Sequence, residues 1–309
     1  MSGRLLAVGD NVVDRYVDRA IMYPGGNAVN VAVHARRCGL DSAYLGAVGT
    51  DAAGQAVLSA LRQEGVDTSL TRVVDGHNAY ATVRVVNGNR VFGSGAVGVS
   101  RIRLGADDLD AVSAFDVVHT GECSMVEDQL PDLSSAARAL SFDFSERPWD
   151  YIEKYARHAD VAIRSLPATD LTTARREALR LAGLGPKTVA VTLGPGGAVV
   201  VEGGRWVHAP APAVEVVDTL GAGDAFIARL LTGLMAGTPL DELVRVATAY
   251  ASDSCLAFGA FGYATADVGQ GAAAQSDIST TSVAPAAGPA AVDSTTPVDP
   301  IQHGGVEQR

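Results

Sequence analysis

The chain has 309 residues, 47% of them hydrophobic and 19% charged, which suits one large α/β domain or two small ones. A formal net charge of −11 argues against non-specific partnership with DNA, RNA or anionic membrane. No run is long and apolar enough to span a bilayer, no secretory signal is expected in "MSGRLLAVGD", and three scattered cysteines without a CxxC pair fit a reducing cytoplasm.

Along the chain, β-rich runs alternate with helical patterns. "RLLAVG" (4–9) reads as a strand, and "GNAVNVAVHARRCG" (26–39) as a helix stopped by Gly39. "SAYLGAVG" reads as a strand, and "DAAGQAVLSALRQEG" as a helix opened by Asp51 and closed by Gly65. The alternation resumes with "FDVVHT", "LPDLSSAARAL", "SFDFS", "ADVAIRS", "TDLTTARREALRLAG" and "KTVAVTLG". Such order predicts a mainly parallel sheet with helices on both faces. Two strand-like pieces, "NVVDRYVDRAIMY" (11–23) and "AYATVRVVNGNRVFGSG" (79–95), are not followed by helices. The second carries a hairpin signal at 87–89, and together they are expected to form a small β-flap. The domain is expected to run over 1–263. From 264 to 309 the chain is rich in Ala, Ser, Thr, Pro and Gly, without aromatic residues or periodicity, and a disordered tail is expected.

Four stretches carry candidate chemistry. In "DTLGAGDAFIARLL" (218–231), Gly221, Ala222 and Gly223 let the backbone bend closely around a ligand just before a helix. Unpaired N–H groups and the helix dipole make that turn an anion site, and Asp224 stands beside it as a candidate proton acceptor. The plainer alternative is an aspartate that stabilises a helix N-terminus. In "YPGGNAVNVAV" (23–33), Gly26 precedes a helix whose first turn offers Asn27 and Asn30 to ligand hydroxyls; an ordinary glycine turn is the alternative. In "VGDNVVD" (8–14), Asp10 and Asp14 follow the first strand, where ligands bind in open α/β sheets, unless both are merely solvated loop carboxylates. "VTLGPGGAVV" (191–200) is a strand, a glycine-rich turn and a strand, which suits either an adenosine neighbour or a simple hairpin.

Other patterns fail. There is no GxxxxGK[ST], no HExxH and no GxSxG; "GSGAVG" (93–98) matches GxGxxG but caps a hairpin with no helix after it.

Taken in order from residue 4 to roughly 262, these stretches resemble the ribokinase/pfkB carbohydrate kinase family. "DTLGAGDAFIA" is similar to its C-terminal signature, "GGNAVN" to its glycine motif, "GDNVVD" to its first-strand sugar motif and "VTLGPGG" to its nucleotide loop. The resemblance implies a ribokinase-like, doubly wound α/β fold with a mainly parallel sheet, helices on both faces and a small β-sheet lid. It implies ATP and Mg2+ as cofactors and a small-molecule sugar as substrate, and it allows a homodimer through the lid. Carried over residue by residue, Asp224 is the catalytic base and Gly221, Ala222 and Gly223 the anion hole. Asp10, Asp14, Gly26, Asn27, Asn30 and Arg90 serve the sugar, and Thr192, Gly194 and Gly197 the ATP side. Within the family, "GDNVVD", "GGNAVNVAV", "NRVFG", "FDFS" and "VTLG" resemble members that phosphorylate fructoselysine. They imply a fructosamine phosphorylated at its 6-hydroxyl, with a plain sugar or a non-catalytic binding role as alternatives. Glu122 and Asp143, on strand ends facing one edge, are candidates for a cationic substrate arm. One departure stands out: where the family carries Asn-x-x-Glu for Mg2+, this chain reads "RSLPATD", with Ser165 and Ala168 at those positions and Asp170 nearby. The metal ligands are therefore unknown.

Overall fold

The first strand is apolar on both faces: Leu5 and Ala7 point one way, Leu6 and Val8 the other, and all four are fully buried. A strand with no polar face belongs inside a sheet covered on both sides. A computed structural model of the chain describes residues 3–86 and 89–267, the side chains of 85–92 excepted. Its strands are β1 (Arg4–Val8), β2 (Val12–Tyr16), β3 (Ile21–Gly25), β4 (Asp41–Leu45), β5 (Ala47–Gly49), β6 (Arg72–Val74), β7 (Tyr80–Val86), β8 (Asn89–Ala96), β9 (Val117–Gly121), β10 (Leu140–Asp143), β11 (Val161–Ser165), β12 (Thr188–Thr192), β13 (Ala198–Glu202), β14 (Arg205–Ala209) and β15 (Thr265–Ala266). Its helices are α1 (Asn27–Arg37), α2 (Ala52–Gln63), α3 (Ala106–Val112), α4 (Leu130–Ala136), α5 (Trp149–Tyr155), α6 (Leu171–Ala182), α7 (Ala222–Met235) and α8 (Leu240–Ser254).

One eight-stranded sheet runs in the order β14-β13-β12-β11-β10-β9-β1-β4. Every pair from β4 to β12 is parallel, while β13 and β14 return antiparallel. The side-chain alternation of β1 sorts the core. Leu5 and Ala7 join the apolar cluster of α1, α2, α7 and α8; Leu6 and Val8 join that of α3, α4, α5 and α6. Helix ends follow local chemistry. Asp51 accepts the Gly54 N–H at 3.0 Å to open α2, Asp170 accepts that of Thr173 at 3.0 Å to open α6, and Gly39 and Gly65 close α1 and α2 at φ 97° and 74°.

A second sheet, β15-β3-β2-β7-β8, is built from the two segments expected to form a flap, with β15 added at its edge. Residues 87 and 88 of the expected hairpin turn lie outside the described residues; on either side, Val86 pairs with Asn89. Two expectations need correction. "SAYLGAVG" is two strands that part at Gly46, where a Cβ would sit 2.0 Å from the Tyr44 hydroxyl. After it, β5 leaves the main sheet and pairs with β6. The tail boundary at 263/264 is also too early. Thr265 and Ala266 pair with Met22 and Ile21, and the Asp267 N–H donates to Ala20 O at 2.9 Å. Most of the expected tail lies outside the described residues.

Candidate active site

The site gathers at the C-terminal ends of the parallel strands, where loops must leave the sheet. Gly26 begins α1 at φ 106°, and a Cβ on it would meet Asn11 Cα at 2.6 Å, so the turn demands glycine. With no side chain at that cap, Asp10 supplies one from the loop after β1. Its Oδ2 accepts the Asn27 N–H at 2.8 Å, and its Oδ1 accepts the Ala28 N–H at 3.3 Å and the Ser124 hydroxyl at 2.9 Å. Asp10 thus holds the first turn of α1 in place. Asp14, on β2, is buried with Oδ2 3.1 Å from where a Gly25 Cβ would be, and Asn30 Oδ1 approaches the same spot at 3.7 Å. That Asn30 oxygen is buried and, among the described residues, accepts no hydrogen bond. Arg90 lies on β8, and its side chain falls outside the described residues.

Asn27 and Asn30, one turn apart on α1, converge on α7. Asn27 Nδ2 donates to Asp224 Oδ1 at 2.8 Å and to Asp143 Oδ2 at 3.0 Å; Asn30 Nδ2 donates to Asp224 Oδ2 at 2.6 Å. Behind them, His119 is fully buried on β9, with Nε2 3.0 Å from Asn27 Oδ1 and Nδ1 3.0 Å from the Ser141 hydroxyl. Burial holds this imidazole neutral, pushing it down to about 3. Because Asn27 Oδ1 can only accept, Nε2 carries the proton and Nδ1 accepts from Ser141. A single chain of donors therefore runs from Ser141 through His119 and Asn27 to two carboxylates. Burial pushes Asp224 up to about 7, against the two amide donors, with Asp10 adding to the rise. Asp143 is likewise pushed up to about 7 by burial, despite the Ser145 N–H at 2.8 Å, with Asp224, Glu122 and Asp10 adding repulsion. Asp224 keeps part of its surface open to water, where a ligand can reach it.

The turn before Asp224 differs from expectation in one respect: α7 already starts at Ala222, so only Gly221 is outside the helix. Gly221 caps it in the left-handed region at φ 72°, and a Cβ there would strike Ala260 Cβ at 2.5 Å. The Ala222 N–H turns back to Thr219 O at 3.3 Å. Among the described residues, the Gly223 and Asp224 N–H groups find no backbone acceptor. Nothing lies within 4 Å of where a Gly223 Cβ would project, so glycine there keeps the approach to these N–H groups clear. The geometry can hold an anion beside a carboxylate able to take a proton.

On the neighbouring strands, Thr192 Oγ1 lies 3.1 Å from Ser165 Oγ, one at the end of β12 and one at the end of β11. The turn that follows holds Gly194 at φ 57°, exposed and open, and Gly197 at φ 86°, where a Cβ would overlap Ala209 O at 1.9 Å. Near the expected metal region, Ser165 and Ala168 offer no carboxylate, and Asp170 is occupied in capping α6. Among the described residues no group of three or more His, Cys, Asp or Glu side chains is arranged to hold a metal ion.

The structure brings Gly26, Asn27, Asn30 and Asp224 into one network and adds Asp143 to it. His119, Ser124 and Ser141 were missed, because a lone buried histidine or serine on a strand carries no spacing signal. Asp218 was also missed, although it heads the 218–231 stretch. It accepts the Tyr16 hydroxyl at 2.9 Å and the N–H groups of Gly259 and Leu220 at 3.0 Å each, joining β2 to the turn before α7.

Residues 5–263 match the family described as pfkB family carbohydrate kinase. The chain is 39% identical to "Fructosamine kinase FrlD" of Bacillus subtilis (strain 168) over 266 residues, covering 84% of this chain and 93% of that protein. It is 36% identical to "Fructoselysine 6-kinase" of Escherichia coli (strain K12) over 261 residues, covering 83% and 99%. Among solved structures, Arabidopsis thaliana ribokinase complexed with ribose and ATP superposes with a TM-score of 0.72 at 22% identity, over 84% of this chain and 95% of that one.

Proposed function

This chain belongs to the pfkB family of carbohydrate kinases, and on that premise we propose that it transfers the γ-phosphoryl group of ATP to the 6-hydroxyl of fructoselysine or a related fructosamine. The observation that carries the chemistry is Asp224, gripped by the Asn27 and Asn30 amides at the mouth of α7. The substrate hydroxyl would lie between Asp224 and the γ-phosphate. Asp224 would accept its proton as the oxygen attacks in line, while the N–H groups around Gly221, Ala222 and Gly223 and the α7 dipole would take up phosphoryl charge. Asn27, Asn30 and Asp14 would hold the sugar, with the unpartnered Asn30 oxygen awaiting a hydroxyl donor. Asp10 and Gly26 would set the position of Asn27. Thr192, Gly194 and Gly197 would face the nucleotide. Mg2+ would enter with ATP and offset the charge of its phosphates.

None of the three cysteines forms a disulfide, which suits a reducing cytoplasm, and no helix among the described residues is long and apolar enough to cross a membrane. The test is ATP consumption against fructoselysine, other fructosamines, fructose and ribose, with the product checked as the sugar phosphate. The highest kcat/KM on a fructosamine is expected; equal efficiency on fructose or ribose would make this a general sugar kinase.

A further inference from the structure

Beyond Asp143 the rim of the cleft carries an ion pair that the phosphoryl-transfer reading leaves unused. Asp143 pairs in register with Gly121 at the ends of β10 and β9, and the next residues outward on each side lead to Glu122 and Arg147. Arg147 Nε and Nη2 both reach Glu122 Oε2, at 2.8 and 2.6 Å. Its guanidinium also lies over the Tyr151 ring, 5.3 Å from the centroid. The side chain is thus braced on two sides, yet it is 45% exposed, whereas Glu122 is 15% exposed. Among the described residues, Arg147 Nη1 has no hydrogen-bond partner.

The charges around this pair are ordered. Asp224 and Asp143 share the Asn27 donor, and Glu122 is close enough to Asp143 to repel its ionised form. A protonated amine is attracted to such carboxylates, while a substrate carboxylate is repelled until it reaches Arg147. A fructosamine carries its groups in the same sequence: the reacting hydroxyl, the sugar, the amine at the other end of the sugar, then the amino-acid carboxylate. We infer that Arg147, oriented by Glu122, binds the carboxylate of the amino-acid arm and so selects glycated amino acids over other glycated amines. This inference rests on the fructosamine reading above.

The experiment compares fructoselysine with fructosyl-cadaverine, which has the same arm without the carboxylate, at saturating ATP. Wild-type enzyme is expected to favour fructoselysine by ~10-fold or more in kcat/KM, the size of one charge-assisted hydrogen bond. In Arg147→Gln the ratio should fall to near unity, through KM and not kcat, and in Arg147→Glu it should invert. No preference in the wild type, or a preference unchanged in both variants, would overturn the inference while leaving the fructosamine reading intact. Turnover of fructose with neither fructosamine accepted would overturn both. Thermal melting of each variant confirms that the half-exposed site tolerates the change.

Discussion

Asp224 is at once the residue that the chemistry needs ionised and one that its surroundings prefer protonated. Its two amide donors favour the carboxylate, but burial outweighs them and lifts it to about 7. The two consequences of pH run in opposite directions. The folded state holds the proton more tightly than the unfolded chain, so this group's contribution to stability is complete below the ordinary carboxylate value of 3.8 and is lost as pH rises through about 7. Activity needs the base free, so kcat/KM is expected to climb over that same interval. Asp143 titrates nearby and shares the Asn27 donor, so the apparent value belongs to the pair. A kcat/KM profile that is flat between pH 5.5 and 8.5 (about three units spanning the pair) would remove Asp224 as the base. A sharper test is Asp224→Asn, which is nearly isosteric. Kcat is expected to fall ~10²–10⁴-fold while ATP and sugar titrations change little, and a loss of only a few-fold would leave Asp224 a structural residue. That carboxylate was legible in the sequence because its glycine turn and helix are contiguous. His119 was not, since its link to Asn27 spans 92 residues and only the β9–α1 packing creates it.

At the scale of elements, α1 joins the two halves of the site. Asn27, Asn30 and His34 are spaced along one stripe of the helix, so the residue facing Asp224 and the residue facing the C-terminal loop move together. His34 is buried, with Nε2 3.0 Å from Ala260 O and Nδ1 3.0 Å from the Tyr250 hydroxyl. Ala260 in turn packs against Gly221, the cap of α7. Burial holds His34 neutral, pushing it down to about 4, so the donor to Ala260 persists at neutral pH. A cavity of about 250 Å³ lined by His34, Arg37, Tyr250 and loop residues 259–262 adjoins this tether. His34→Leu is therefore expected to lower kcat ~10-fold or more by displacing the Gly221 turn, with the sugar KM little changed. His34→Gln, whose amide can still donate to Ala260 O, should recover most of that loss; equal kcat in both variants and wild type would dismiss the tether. The main alternation of strands and helices was readable because each apolar period is local. The division of "SAYLGAVG" and the existence of β6 were not, because both follow from a partner strand distant in sequence.

For the whole molecule, the question is where the folded unit ends. Composition alone placed the boundary after Tyr263, because Ala, Ser, Thr, Pro and Gly dominate from there onward and bury little. Composition has no way to register a two-residue strand, since Thr265 and Ala266 gain their place from the edge of β3 and not from side-chain burial. Asp267 adds a contact with Arg15 at 3.8 Å and a backbone bond to Ala20, both on the β2–β3 hairpin. The same hairpin carries Tyr16, whose hydroxyl reaches Asp218 beside the α7 turn, so the edge strand is tied indirectly to the site. Two truncations separate these contributions. A chain ending at Gln270 keeps every described contact and loses only residues whose sequence is poor in large apolar groups and has no aromatic residue, so its Tm and kcat should match those of the full chain. A chain ending at Tyr263 also loses the β15 pairing and the Asp267 contacts. With each backbone hydrogen bond worth ~0.5–1.5 kcal/mol net, it should melt a few degrees lower, and its sugar KM should rise as the hairpin loosens. Thermal melts and fructoselysine kinetics on the two chains decide the matter. Equal melting of both would restore the boundary at 263, and a large loss in the longer truncation product would show that residues beyond 270 stabilise the domain.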